Sequence, residues 1–191
     1  MTRGRDKPIP PLPWSKSVAV EKIPDTGSHE ELTANAAQLA AMSEIAGLRG
    51  MSDARAVFDL SFAGRGRVHV TGRVGARVAQ TCVVTLEPIE NIIDEPIDVL
   101  FAPADQVEAI IKAMEAAPET EEETPDPPEP IEGGAIDLGK LAADALFLGI
   151  DPYPRKPDAV FEPPAVEEDP DSHPFAALKA LKDEPPKKPK S

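Results

Sequence analysis

Basic side chains recur at odd-numbered positions near the middle of a strongly acidic chain. The chain carries a formal net charge of −14 at pH 7. Between residues 55 and 81, however, there are five arginines and only one acid, Asp59. The basic row comprises Arg65, Arg67, His69, Arg73 and Arg77. Because guanidinium groups bind phosphate oxygens, the row predicts a small surface that contacts RNA phosphates or another partner.

A β-strand would place the whole basic row on one face of a sheet. Side chains alternate across a strand, so the even-numbered residues would occupy the opposite face. Those residues are apolar: Val68, Val70, Val74, Ala76 and Val78. The alternative is ordinary solvated strand polarity, with cross-strand pairing to Glu90, Asp94 and Asp98. The sequence pattern leaves both interpretations open.

The only cysteine, Cys82, continues the even-numbered phase of the valines. Free cysteine is among the most buried residue types, so we predict a small core residue rather than a nucleophile. The histidines His29, His69 and His173 lie on separate predicted elements, without a metal-binding spacing. An enzyme would need carboxylates or histidines that converge in a pocket, which the sequence does not indicate. We therefore expect no catalytic residues, metal, cofactor or small-molecule substrate.

A segment near the end of the chain, "HPFAALKALK", has a helical apolar face followed by lysines. The face consists of Phe175, Leu178 and Leu181. A short helix over residues 173–182 could dock on a partner. It could equally fold back onto its own sheet or serve as a solubilising tail.

Hydrophobic periodicity predicts an α+β fold, in which a bent antiparallel sheet packs against two main helices. Predicted strands cover residues 14–23, 54–63, 68–78 and 91–101, with "GRG" at 64–66 as a hairpin turn. One helix is predicted over 28–47, with Ser28 and Glu31 as a capping box. The other runs from a cap at Asp137 to Gly149. Closure of the sheet into a barrel is left open.

The distribution of proline and acid predicts one domain with flexible additions. Proline occurs 23 times, mainly in the first quarter and after residue 118. We predict a flexible N-terminal tail at 1–13, a single domain at 14–154 and a proline-rich tail at 155–191. Residues 115–132 hold eight acids and no base, which predicts a disordered insertion because such a stretch repels itself.

Charge and hydropathy also restrict the compartment and the partners. The N-terminus has no apolar segment typical of a secretory signal, and no apolar run approaches the roughly 20 residues of a membrane span. We therefore predict a cytoplasmic protein. The pI of about 4.6 argues against nucleic-acid binding through the whole surface and is suited to a basic partner.

Three motifs follow one another in a distinctive order: "TCVVTLEPI" after the hairpin, "IDLGKLAADALFLGIDPYP" after the acidic gap, and "HPFAALKAL" near the end. This order, over about residues 14–181, resembles the large ribosomal RNA subunit accumulation protein family, the YceD-type bacterial proteins with chloroplast relatives. That family also has a second helix opening with Ile-Asp-Leu and an Asn-Pro-Phe-Ala-x-Leu segment. Many members carry Cys-x-Arg-Cys at the turn, where this chain has Cys82-Val83-Val84-Thr85.

The resemblance implies a role in accumulation of 23S ribosomal RNA and in assembly of the large ribosomal subunit, without known catalytic activity. Our first hypothesis is therefore a non-enzymatic ribosome biogenesis factor whose partners are ribosomal RNA or basic ribosomal proteins of the large subunit. The alternative is an acidic protein-interaction module that holds a basic ribosomal protein and does not contact RNA.

Overall fold

The structure of the protein is a computed structural model that describes residues 13–116 and 126–161. Its strands are β1 (Ser17–Ala19), β2 (Ser28–Thr33), β3 (Gly50–Phe62), β4 (Val68–Thr81), β5 (Pro88–Pro103), β6 (Glu129–Ile131) and β7 (Ala135–Asp137). Its helices are α1 (Ala36–Ile45), α2 (Ala104–Ala116) and α3 (Leu138–Leu148). All of them lie in one compact unit that ends at Ala159. A second unit begins at Val160, and only Val160 and Phe161 of it are described.

Five strands form the main sheet in the order β2-β3-β4-β5-β6, and β1 pairs with β7 in a separate two-stranded sheet. Every pairing is antiparallel except that of β5 with β6. The α+β prediction with a mostly antiparallel sheet is confirmed. Among the described residues, β2 and β6 are the two edges of the main sheet and do not pair, so this sheet is open rather than a closed barrel.

The hairpin formed by β3 and β4 is the centre of the sheet. Its turn residues Gly64, Arg65 and Gly66 all have positive φ, at 76°, 55° and 74°. Two glycines in three residues make this left-handed turn accessible. The predicted hairpin and its turn are thus confirmed, and both strands extend a few residues beyond the predicted ranges.

The core lies on the even-numbered side of this hairpin. The buried side chains there include Phe58, Leu60, Val68, Val70, Val74, Val78 and Cys82. Helix α3 covers this side of the sheet with its buried Ala142, Ala143 and Leu146. Its predicted cap, Asp137, accepts hydrogen bonds from the amides of Gly139 and Lys140, and the helix ends at the predicted Gly149. Alternation of side chains therefore separates an apolar inner face from a polar outer one.

The helix predicted over 28–47 is only partly correct. Residues Ser28–Thr33 form the edge strand β2, which pairs with β3, and the helix begins later at Ala36. The capping box is made by Asn35 and Gln38 instead of Ser28 and Glu31. The spacing of Ser28 and Glu31 imitates a cap, but the hydrogen bonds and burial available against β3 favour the extended conformation.

The predicted strand 91–101 lies within β5. Ile93, Ile97 and Phe101 are buried as predicted, whereas Val99 is only half-buried. Pro96 pairs with β4 on one side, and the described pairing of β6 begins only at Phe101. Proline without an amide hydrogen suits this open edge.

The predicted insertion 115–132 is structured at both ends. Glu115 belongs to α2, a helix absent from the predicted fold, and Glu129–Ile131 form β6 beside the end of β5. Residues 117–125 lie outside the described residues, as do 1–12 of the predicted N-terminal tail. The predicted C-terminal helix 173–182 also lies outside them.

Candidate functional site

The basic row is divided between the hairpin turn and the outer face of β4. Arg65 and Arg67 belong to the turn, where the Arg67 Nε donates to the carbonyl oxygen of Gly64 over 3.4 Å. His69, Arg73 and Arg77 lie on β4, with Arg73 and Arg77 exposed. Cys82 is fully buried, as predicted. Along β4, the odd-numbered basic residues and the even-numbered apolar residues therefore lie on opposite faces, as predicted.

Arg73 is paired with an acid on the neighbouring strand. Its Nε and Nη2 donate to the two carboxylate oxygens of Asp94 over 3.0 and 2.7 Å. These hydrogen bonds raise the pKa of Arg73 and lower the pKa of Asp94. This is the cross-strand pairing that the alternative interpretation predicted. A phosphate that approached Arg73 would have to compete with Asp94 for the same donors.

Two further members of the row have acidic neighbours. The Nε2 atom of His69 lies 2.6 Å from Asp98 on β5. The Nε atom of Arg77 lies 3.8 Å from Asp53, a residue with φ of 54° at the irregularity in β3. On β2, His29 makes a similar contact of 2.7 Å with Asp59, and this hydrogen bond raises the pKa of His29. His29, His69, Arg73 and Arg77 are therefore each paired with an acid.

A residue outside the predicted row, Arg55, joins the arginines of β4. It lies opposite Gly75 in the β3–β4 register, between Arg73 and Arg77 along the neighbouring strand. The three arginines, with Asp53 and Asp94, line an open depression of about 390 Å³. The sequence could have predicted this position of Arg55. A hairpin centred on Arg65 pairs odd-numbered residues of β3 with odd-numbered residues of β4, so Arg55 shares a face with Arg73 and Arg77.

The outer face is not positively charged as a whole. Its exposed arginines on the strands are Arg55, Arg73 and Arg77. Its exposed acids are Glu31, Asp53, Asp59, Glu90, Asp94 and Asp98. In the described part of the chain, Arg55, Arg65 and Arg67 have no acid within ion-pair distance. Any phosphate contact is therefore easiest at the turn and at Arg55.

Cys82 occupies the turn that links β4 to β5. Its Sγ atom accepts hydrogen bonds from the amides of Thr85 and Lys156, each over 3.5 Å. Hydrogen bonds from the side chain and backbone of Thr85, then from Lys156, lower the pKa of Cys82 to about 6, although burial opposes this shift. The amide of Val83 donates to Pro154, so the turn is bound to the segment after α3. The thiol thus helps to position the chain.

Within residues 13–116 and 126–161, no group of three or more histidine, cysteine or acidic side chains has an arrangement that could hold a metal ion. His29 and His69 lie on different strands, while His173 is outside the described residues, together with Phe175, Leu178 and Leu181. None of the described helices combines the length and apolar character needed to cross a membrane.

Comparison with protein families gives a match to the model described as large ribosomal RNA subunit accumulation protein YceD, over residues 70–182. The matched region begins in β4 and includes the Cys82 turn and α3. Comparisons with curated proteins and with solved structures give no significant match. Because the family match covers more than half of the 191 residues, the chain belongs to the YceD family of large ribosomal RNA subunit accumulation proteins.

Proposed function

We propose that this protein is a non-enzymatic, cytoplasmic factor of ribosome biogenesis that supports accumulation of 23S ribosomal RNA and assembly of the large subunit. The family match over residues 70–182 carries the proposal. The pairing of the charged side chains on the outer face supports a scaffold, because these groups are engaged with one another rather than grouped in an enclosed pocket.

Deletion of the gene in its host tests this role. We expect 23S RNA to fall relative to 16S RNA, with fewer large subunits in a sucrose gradient and recovery on complementation. An unchanged ratio with normal large subunits would refute the proposal.

We further propose that the arginines contact ribosomal RNA phosphates in two classes. Arg65 and Arg67 in the turn, with Arg55 on β3, supply the contacts at least cost because none of the three forms an ion pair with an acid of the described residues. Arg73 and Arg77 contribute less, since each must leave its carboxylate, and His69 is similarly held by Asp98. Phosphate contacts of this kind position RNA without reading its sequence.

Salt dependence of RNA binding tests these two classes. Each lost phosphate contact reduces the slope of log K against log salt by about 0.7 for single-stranded RNA. We expect Arg65→Gln with Arg67→Gln to reduce the slope more than Arg73→Gln with Arg77→Gln, although both pairs remove the same charge. Equal reductions, or a larger one for the second pair, would contradict this assignment.

The excess of acids on the outer face favours a second candidate function. The protein would hold a basic ribosomal protein of the large subunit and would not contact RNA. Purification of the tagged protein from lysate, with and without RNase, separates the two functions. Ribosomal proteins retained after RNase treatment, with no RNA binding by the pure protein at low salt, would support the second function and refute the RNA contact.

A further inference from the structure

A groove lies beside α3, on a different part of the molecule from the basic row. It has a volume of about 380 Å³, within the range of about 300–1,000 Å³ usual for ligand pockets. Its walls come from α3 and from strands β1, β5, β6 and β7. All of these elements belong to the first compact unit.

The interior of the groove is apolar. Val99 and Phe101 come from β5, Ile136 from β7 and Leu141 from α3. Val99 and Leu141 are half-buried, whereas Phe101 and Ile136 are buried. Partly exposed aliphatic side chains that converge in a concave site can bury an apolar side chain of a partner.

The rim of the groove is acidic. Of the acids that line the groove, Glu129 and Glu132 are exposed, whereas Asp137 and Asp144 are half-buried. Lys140 is the one basic residue among the described lining residues, and its Nζ lies 3.6 Å from Asp144. The Asp137 carboxylate already accepts four hydrogen bonds from groups of the same chain. Glu129 and Glu132 are both exposed and are the acids most available to a partner.

The two exposed acids of the rim belong to an acidic stretch of the sequence. Glu129 and Glu132 are the last two of the eight acids in residues 115–132, a stretch without a base. A partner that entered the groove would therefore meet negative charge at the rim. Such a field attracts lysine and arginine and repels nucleic acid.

We propose that this groove binds a lysine- or arginine-rich protein segment, with one of the segment's apolar side chains on the apolar interior and its basic side chains at Glu129 and Glu132. That the segment belongs to a large-subunit protein rests on the proposed function. The chemistry of the site does not, because it follows from the apolar interior and the acidic rim. The acidic rim repels RNA. The groove therefore has a different partner from the turn that carries Arg65 and Arg67, where RNA phosphates are proposed to bind.

Binding of two fluorescent peptides to the full chain tests the groove. One peptide alternates lysine with leucine, and the other alternates lysine with serine at the same charge. We expect the lysine–leucine peptide to bind more tightly. Glu129→Gln with Glu132→Gln should weaken it about fivefold, as expected for the loss of two exposed ion pairs. Val99→Thr, which keeps the shape of the side chain, should weaken the lysine–leucine peptide only.

The matched control is Glu44→Gln with Glu90→Gln, which makes the same charge change at exposed positions outside the groove. Equal losses for the two double variants, or no preference for leucine, would show diffuse attraction and overturn the proposal. Binding of oligouridylate that Val99→Thr weakens would place RNA in the groove and also overturn it. If the peptides do not bind as expected but the deletion strain has a reduced ratio of 23S to 16S RNA, the groove proposal alone is refuted. Peptide binding as expected with a normal ratio would refute only the ribosomal role.

Discussion

Arg73 and Asp94 form a two-pronged ion pair across β4 and β5, diagonal to the backbone register in which Asp94 lies opposite Gly75. The pair occupies both carboxylate oxygens and two guanidinium nitrogens. Arginine–carboxylate pairs of this geometry have strong directional preference. The Arg73 side chain is therefore restrained by an acid of the neighbouring strand.

Removal of the Asp94 charge should release Arg73 for phosphate. We expect Asp94→Asn to raise the affinity for oligouridylate and to steepen its salt dependence, because one more cation becomes available. Asp59→Asn is the matched control, since it removes the same charge beside His29 rather than beside an arginine. Equal gains for both variants would show a general charge effect and contradict a specific role for Arg73.

Gly72 allows β3 and β4 to approach each other over the ring of Phe58. A Cβ atom at residue 72 would lie 2.1 Å from the carbonyl oxygen of Val57 and 3.1 Å from Phe58. We expect Gly72→Ala to lower the free energy of unfolding by about 1–3 kcal/mol, measured by urea denaturation. Gly50→Ala is the control, because its Cβ would meet nothing within 4 Å. Similar stability of the two variants would refute the close approach.

The hairpin could be predicted from the sequence because it is local and its pattern is strict. Side-chain parity from Val68 to Val78 assigned the inner and outer faces, and the glycines of "GRG" located the turn. The same parity placed Cys82 inside. The sequence did not decide whether Arg73 and His69 pair with acids of the neighbouring strand or contact a partner, since opposite charges on neighbouring strands allow both.

The remaining features depend on contacts that sequence spacing does not show. β2 is extended because β3 offers it a partner, against the capping signal at Ser28. The parallel pairing of β6 with β5 joins residues separated by α2 and the acidic stretch. The apolar groove beside α3 depends on that pairing, because Glu129 and Pro130 form one of its walls. Long-range pairing of this kind has no short-range periodic signature.

Asp137 links the start of α3 to the segment before β1. Its carboxylate accepts from the Ser15 hydroxyl over 2.6 Å and from the Lys16 amide over 2.8 Å, in addition to its two capping hydrogen bonds. We expect Asp137→Ala to cost about 2 kcal/mol of stability, whereas the exposed Asp158→Ala should change little. If denaturation shows that Asp137→Ala loses no more stability than Asp158→Ala, this role is refuted.

The pH dependence of Asp137 should follow from its hydrogen bonds. Partial burial alone would raise the pKa of Asp137, but the bonds from Ser15, Lys16, Lys140 and Gly139 lower it overall. The stabilisation is therefore complete above the pKa of the unfolded chain and disappears as the pH falls through the lower folded value. Asp137→Asn should flatten stability in this acidic range. An unchanged profile would contradict the pKa shift.

Cys82 should ionise below the usual range of a thiol. With the pKa of Cys82 at about 6 in the folded protein, the unfolded chain binds the extra proton between pH 6 and the ordinary thiol value. Stability should therefore rise with pH across this interval, and Cys82→Ala should remove the rise. Thiolate ultraviolet absorbance gives the midpoint directly. A midpoint at the ordinary thiol value would contradict the hydrogen bonding described for Thr85 and Lys156.

The ratio of 23S to 16S RNA in the deletion strain, measured with and without a plasmid copy of the wild-type gene, tests the central claim most directly. We predict a lowered ratio that the plasmid restores, together with recovery of the large-subunit peak. A ratio that is normal in the deletion strain, or one that the wild-type copy leaves low, would contradict the role in large-subunit RNA accumulation.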